Sequence, residues 1–592
     1  MKRGERAIAR RLDKAKGGQE PRGGGPEFSG RGRRYEFAGR TRAIPYGGIP
    51  VIHELLQKLG FVDLLDEQLQ LLKMNRPYFD SDHILNIAFN VLCGGRSLED
   101  IEVRRNDAAY LDALGARTIP DPTTAGDYAR RFSAEDLLVL QMIINDTRVE
   151  VWKKQPESFR KETARIDADG TLVNTTGACK EGMDVSHKGD WGFHPLLVSF
   201  ANTGEPLWIL NRSGNRASHE GAAPLFNQSI ELMRRAGFDD ILLRGDTAFA
   251  LASHFDEWEE DGVRFVFGYR AFKNLLGRAE SADESEYQRL IRRAEEAHDK
   301  KRRAKPPRVK ERIIRERGFR NLTLQHEDLF DFEYQPNPCD KAYRMVALRK
   351  TILVEKGQLC LGTEIRYHFY VTNDRTLSLR EVVREANNRC NQERLIGQLK
   401  HGVRALHAPL NNLIANNAYM VMAALAWSIK AWFALSLPIS PRTRKKDRAL
   451  RDKVLHMEFA TFVQHFILLP AQVLRSPEVG SKAHHPLPRL AAEPQYRLPP
   501  RRLSRRKLGP GPARRTQARG RSALHPSTAV TTKRDPHAAP TDPRPDGLRP
   551  TEACARSRSG SVMPAIASPG PSRIACLRTS SPPTPGAPQR QG

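Results

Sequence analysis

The chain has 592 residues, 39% of them hydrophobic, and a formal net charge of +27. That length implies several domains and at least one large buried core. No uninterrupted apolar run of about 18 residues occurs and no apolar stretch follows the basic N-terminus, so neither a membrane span nor a secretory signal is indicated and a cytoplasmic location is expected.

Taken in chain order, residues 1–42 are rich in Gly and Arg without apolar periodicity and are expected to be disordered. Residues 43–158 carry apolar residues at helical spacing, as in Val51–Leu59 and Ile84–Leu92, and Pro120-Asp-Pro-Thr-Thr opens a further helix, which predicts an all-helical N-terminal domain. Over 159–274 the period changes. Arg165–Val173 is extended, and Phe193–Ala201 and Pro206–Leu210, joined by Asn202-Thr-Gly-Glu, read as a hairpin. A helix over 219–236, a strand over 240–245, a helix over 248–260 and a strand over 263–269 complete a mixed α/β segment. Residues 275–375, charged to about 318 and strand-rich after it, are expected to be an insertion. Residues 376–474 return to helices, beginning near Leu377 and running through Trp427 and Trp432. From 475 to 592 the composition turns abruptly to Arg, Pro, Ala and Ser. That mixture is what GC-rich DNA gives in a wrong reading frame, the alternative being a genuine disordered basic tail.

The charge follows this division: residues 1–40 carry about +7 and 471–592 about +16, leaving roughly +4 for the body, so any nucleic acid held by the body must meet local patches. Arg130-Arg131, Lys300–Arg303 and Arg308–Arg317 are the candidates. The seven cysteines (Cys93, Cys179, Cys339, Cys360, Cys390, Cys554 and Cys576) include no C-x-x-C pair, so neither a zinc site nor a disulfide framework is signalled.

Chemistry is suggested by three separated acids. In the strand Ile166–Asp169, Asp167 and Asp169 share a face, and Gly170 lets backbone approach. Asp246 follows the apolar strand Ile241-Leu-Leu, at the C-terminal end where α/β folds place ligands. Arg389, Glu393 and Lys400 stand at i, i+4 and i+11, which on one continuous helix at roughly 100° per residue brings them within about 40° of one face. Three acids flanked by cations suit two divalent metal ions and a phosphodiester. Mg²⁺ fits best as a hard, oxygen-seeking ion, with Mn²⁺ as a substitute.

Asp169-Gly-Thr, Arg244-Gly-Asp246 and Arg389-x3-Glu393-x6-Lys400, with a strand-rich block before the glutamate, resemble the DDE transposases of bacterial insertion sequences that carry a Tyr-x2-Arg-x3-Glu-x6-Lys signature. Gly192-Phe-His-Pro-Leu-Leu-Val, Asn202-Thr-Gly-Glu-Pro-Leu and Arg212-Ser-Gly-Asn are similar to the segment between the first two acids of such enzymes, and the likeness covers roughly residues 45–475. It implies a ribonuclease-H-like α/β core, with Asp169, Asp246 and Glu393 as catalytic, metal-binding triad and Arg389 and Lys400 as contacts to terminal DNA. It also implies terminal inverted repeats and target DNA as partners, a homodimer on paired ends, and a nucleoid-associated location. The signature's tyrosine is replaced by Ala386. Asp167 stands second for the first acid. Two other readings stay open. Asp167-Ala-Asp169-Gly-Thr also resembles the first motif of haloacid-dehalogenase-type phosphatases, with Asp167 as nucleophile and Asp169 as general acid, and a transposase-like body could bind DNA without catalysis.

Overall fold

In the computed structural model the described residues are 43–73, 77–177, 180–290, 317–356 and 359–473, all within the first of the chain's two units, Met1–Ala491. The two expected disordered tails, the patch Lys300–Arg303 and nearly all of Arg308–Arg317 lie outside them.

The described residues between Ile49 and Arg160 form a series of helices joined by loops. Helix α1 (Asp80–Leu92) is buried on nearly every side, polar residues included, and several of its buried polar groups meet partners. Tyr128 Oη donates to Asp80 Oδ1 at 2.7 Å, Asn86 Nδ2 to the Pro120 carbonyl at 2.8 Å and Asn90 Nδ2 to the Ser97 carbonyl at 2.8 Å. Such pairing is the condition on which polar side chains enter a core. Helix α2 (Ala134–Lys153) starts at a capping box in which Ser133 Oγ accepts from Asp136 N and the Asp136 carboxylate accepts from Ser133 N.

The nine-stranded sheet forms next to these helices. Its first five strands are β1 (Ala164–Gly170), β2 (Leu196–Phe200), β3 (Glu205–Leu210), β4 (Ile241–Gly245) and β5 (Arg264–Tyr269). The expected hairpin is β2–β3, whose strands are antiparallel to each other; β2 is also antiparallel to β1, while β1, β4 and β5 run parallel. The parallel step from β3 to β4 is bridged by helix α3 (Ala222–Ala236), as a same-sheet crossover requires. The insertion adds β6 (Gln288–Arg289), β7 (Arg320–Tyr334), β8 (Tyr343–Lys356) and β9 (Leu359–Thr372), giving the order β3-β2-β1-β4-β5-β9-β8-β7-β6. Thus β9 pairs directly with β5, and the insertion extends the same sheet.

Two expected helices differ. Residues 248–260 are two 3-10 turns followed by a short helix, Phe255–Glu260, because Asp246 Oδ1 accepts the Ala248 N–H and turns the chain at the strand exit. The helix expected from Leu377 onward is interrupted. Helix α4 (Leu379–Asn388) ends at Arg389, α5 (Cys390–Gly397) begins beyond it, and Gln398–Gly402 widen into a π-turn.

Helix α6 (Leu413–Ser436), capped by Asn412 on Ala415 N, is buried almost throughout and packs on α1, α2 and β3. By length and hydropathy it could cross a membrane, and here its most apolar stretch lies wholly inside the protein core. The buried pair Arg148–Glu205, 3.0 Å apart, fastens α2 to β3, with Trp152 Nε1 and Trp432 Nε1 also donating to Glu205.

Lys430 of α6 is almost wholly buried, donating to the Leu455 carbonyl at 2.8 Å with its ammonium over the Trp427 ring. Burial, with Arg394 nearby, lowers its pKa to about 7. A lysine whose folded pKa lies below its unfolded value penalises folding fully below pH 7 and releases that penalty as pH rises toward the unfolded value. Wild-type stability is therefore expected to climb by up to ~1.4 kcal/mol per pH unit above pH 7, relative to Lys430→Met. Urea melts of both proteins at successive pH values check this, and parallel curves would refute it.

Candidate active site

Asp169 lies near the C-terminal end of β1 and Asp246 directly follows β4. The register pairs Asp167 with Arg244, so two residues further on Asp169 and Asp246 come level on adjacent strands, which are spaced about 4.8 Å apart. Helix α5 is drawn to the same place. The buried Gln392 accepts from Ser199 Oγ and donates Nε2 to the Leu197 carbonyl at 3.2 Å. Leu197 is the residue that β2 pairs with Asp169. The next residue along, Glu393, is exposed.

Electrostatics joins these groups. The Asp169 carboxyl is pushed up to about 6, first by burial and then by the charges of Asp246 and Glu393, against the pull of Arg389. Arg389 Nη1 reaches Asp169 Oδ2 at 3.4 Å, both side chains being 17% exposed. Lys400 donates Nζ to the Leu172 carbonyl at 2.7 Å, and burial lowers its pKa while Asp169 opposes that shift. Arg389 thus touches Asp169, and Asp246, Glu393 and Lys400 lie close enough to share its field, though not as one helical face. Arg389 is the break between α4 and α5, and Lys400 lies in the π-turn, where the wider winding changes its phase. Among the described residues no three Asp, Glu, His or Cys groups form a closed set for one ion. The acids are electrostatic neighbours around a shared carboxylate.

Asp167 is committed elsewhere. It is 1% exposed, and Arg244 grips both of its oxygens, Nε to Oδ1 at 2.7 Å and Nη2 to Oδ2 at 2.9 Å. Burial raises its carboxyl against the pull of that guanidinium. Arg244 Nη1 also donates to Glu385 Oε2 at 2.8 Å, and Arg165 forks onto Glu385 at 2.9 and 3.0 Å. The resulting network ties β1, β4 and α4 together just beneath the acids. The sequence pattern had not singled out Glu385. Its signal is the spacing Glu385-x3-Arg389, which puts an acid one helical turn before the expected cation. An acid with both oxygens held in a buried ion pair is not poised as a nucleophile, so Asp167 fits neither the phosphatase role nor the first acid.

Asp246 and Arg389 also line a cleft of about 360 Å³ with Tyr269, Tyr367, Tyr370 and Ala386. Tyrosines from β5 and β9 therefore stand beside the alanine that replaces the signature tyrosine.

A family model described as transposase DDE domain, group 1, matches residues 31–459. The chain belongs to this family. The match runs through both segments that supply the acids and through the insertion between them, and it leaves no place for the phosphatase reading of this transposase. A solved structure, the piggyBac transposase synaptic complex with hairpin DNA, is similar over 75% of this chain and 88% of that one, at 10% identity and a TM-score of 0.32. No curated protein matches.

Proposed function

We propose that this transposase cleaves DNA at the ends of its insertion sequence and joins those ends to target DNA, using Asp169, Asp246 and Glu393 as metal-binding carboxylates. The observation that carries this reading is that Asp169 and Asp246 come level at adjacent strand ends with Arg389 Nη1 3.4 Å from Asp169, and burial, Asp246 and Glu393 push the Asp169 carboxyl up. A carboxylate pushed up by acidic neighbours gains from a cation placed among them. Asp169, Asp246 and Glu393 are the residues that would hold the metal, and their hard oxygen donors would suit Mg²⁺, with Mn²⁺ as a substitute. The metal, when bound, would activate the attacking oxygen and stabilise the leaving one. The chain's own part is to hold and orient the strand. Arg389 moves from Asp169 to a phosphate oxygen, and Lys400, tethered to the Leu172 carbonyl, meets the neighbouring phosphate.

The strand order β3-β2-β1-β4-β5, three antiparallel strands followed by two parallel ones, supports a ribonuclease-H-like core. In this reading residues 43–158 form the helical DNA-binding region, 159–274 and 376–474 the core, and 275–375 its insertion. Arg130-Arg131 and the basic tails would add phosphate contacts. Terminal inverted repeats, target DNA, a homodimer pairing two ends, and a cytoplasmic, nucleoid-associated location belong to the same proposal.

Mg²⁺-dependent cleavage of DNA carrying the element's ends, by the full chain and by a chain stopped at Leu474, tests it. End-specific cuts by either chain are expected, and cuts by the shorter chain alone would mean that the basic tail disables this copy. End binding without cleavage by either chain, in Mg²⁺ or Mn²⁺, would leave the non-catalytic reading in its place.

A further inference from the structure

A second and larger cleft has a volume of about 950 Å³. Its lining includes Arg96, Asn174, Lys180, Trp191, Arg404 and His407. Asn174 follows Asp169 by five residues, so the cleft begins within about 18 Å of the acids along the chain. Lys400 joins the two places, donating to the Leu172 carbonyl while its own carbonyl meets His407 Nε2 at 3.2 Å.

Three features mark the cleft. Trp191 is 55% exposed, whereas the other five tryptophans are at most 6% exposed. Its backbone is fixed nonetheless. The strand Trp191–Phe193 is the middle one of a small three-stranded sheet, between Val173–Asn174 and Asp184–Val185. A Cβ at the next residue, Gly192, would stand 2.2 Å from the Val173 carbonyl oxygen, so that strand is seated at closest approach. An apolar ring displayed on a rigid support is an arrangement for stacking.

The cations are the second feature. Arg404 Nε donates to the Arg96 carbonyl at 3.1 Å and Lys180 Nζ to the Ala408 carbonyl. Among the described residues no carboxylate forms an ion pair with Arg96, Lys180 or Arg404, and Asp190 is the acid that shares the cleft with these three. His407 reports the local field. Its pKa is lowered first by burial and then by Arg404, His401 and Lys400. Third, Arg404 adopts φ of 56°, a left-handed conformation costly for a residue with a side chain and one that clusters at functional sites.

We propose that this cleft binds an unpaired DNA strand next to the cleavage point, with Trp191 stacking on a base and Arg96, Lys180 and Arg404 facing the phosphates. An aromatic platform within a cationic groove binds single strands with little regard to sequence, because every base has a stacking face. The inference rests on the transposase reading, and it adds the location and the form of the strand that the protein holds open.

Binding is measured with the full chain in EDTA, so that no turnover intervenes, using labelled oligothymidine and a mixed-sequence duplex of equal length. Trp191→Ala is expected to weaken oligothymidine binding by about tenfold, to leave duplex binding within about twofold, and to abolish the quenching of tryptophan fluorescence by the strand. Trp191→Phe should keep most of the affinity. Arg404→Ala should lower the salt slope of single-strand binding by about one phosphate contact. Because Trp191 is exposed, the variants should melt with the wild type. Equal loss for both DNA forms, or none for either, overturns the proposal. End cleavage by the wild type with unchanged strand binding by Trp191→Ala would sink this subsite alone, whereas a wild type that binds neither oligothymidine nor the element's ends would sink the transposase reading with it.

Discussion

Asp169→Asn is expected to lower Mg²⁺-dependent cleavage by about 10³-fold or more, with binding of the element's ends retained. Metal-assisted charge stabilisation supplies several kcal/mol to phosphoryl transfer, and each 1.36 kcal/mol is a factor of ten. Asp246→Asn and Glu393→Gln should behave alike if, as proposed, all three act on one scissile group. What separates a site effect from misfolding is the direction of the stability change. The Asp169 carboxyl sits at about 6, above its ordinary value, because of burial and the neighbouring Asp246 and Glu393. An acid with a raised folded pKa holds its proton more tightly when folded, so stability falls as pH rises from about 4 to 6, and the full penalty persists above that window. In EDTA at pH 7.5, Asp169→Asn should therefore be more stable than wild type, by about 1–3 kcal/mol less whatever the lost Arg389 contact had contributed. The advantage should vanish below about pH 4. Thermal melts at both pH values, read beside the cleavage assay, decide the matter. A variant that cuts within tenfold of wild type would remove Asp169 from the site.

How much of this was legible in the sequence depends on the range of the signal. Asp246 was suggested by the apolar strand it follows, and Asp169 by the alternation that puts it on one face with Asp167 just before Gly170; both signals are local. The hairpin β2–β3 was legible for the same reason, with Asn202-Thr-Gly-Glu marking its turn. The choice between Asp167 and Asp169 was not, since alternation puts both on one face. What separates them is Arg244, a residue 77 positions away from Asp167 that consumes both of its oxygens. Likewise Arg389, Glu393 and Lys400 were grouped by an incomplete geometry. A periodicity of 3.6 contains neither a break at Arg389 nor a π-turn at Gln398–Gly402, and both are set by what packs against them, including Gln392 on Ser199. The exposed Trp191 left no signal at all, because exposure is a property of the fold.

Arg244→Met is expected to be among the most destabilising single substitutions in the described residues, costing about 3–5 kcal/mol in urea unfolding, because it leaves Asp167 charged, buried and without its partner. Glu385 is damaged less, since Arg165 still forks onto it. Removing the stranded acid as well should reverse most of the loss: Asp167→Leu combined with Arg244→Met replaces the pair by apolar groups, an exchange that is often close to neutral. The two single costs should therefore exceed the cost of the double variant by at least about 2 kcal/mol, the signature of coupled neighbours. Cleavage should not return with stability. Arg244 reaches from the residue two before Asp246 to the residue four before Arg389, so its guanidinium fixes the height of α4 over the strand ends, and no apolar pair directs Glu385 in that way. The double variant is expected to fold, bind the element's ends and cut at least tenfold more slowly than wild type, a loss of the size that small misplacement of catalytic groups produces. A double variant that regained both stability and cleavage would show that the network serves the fold alone.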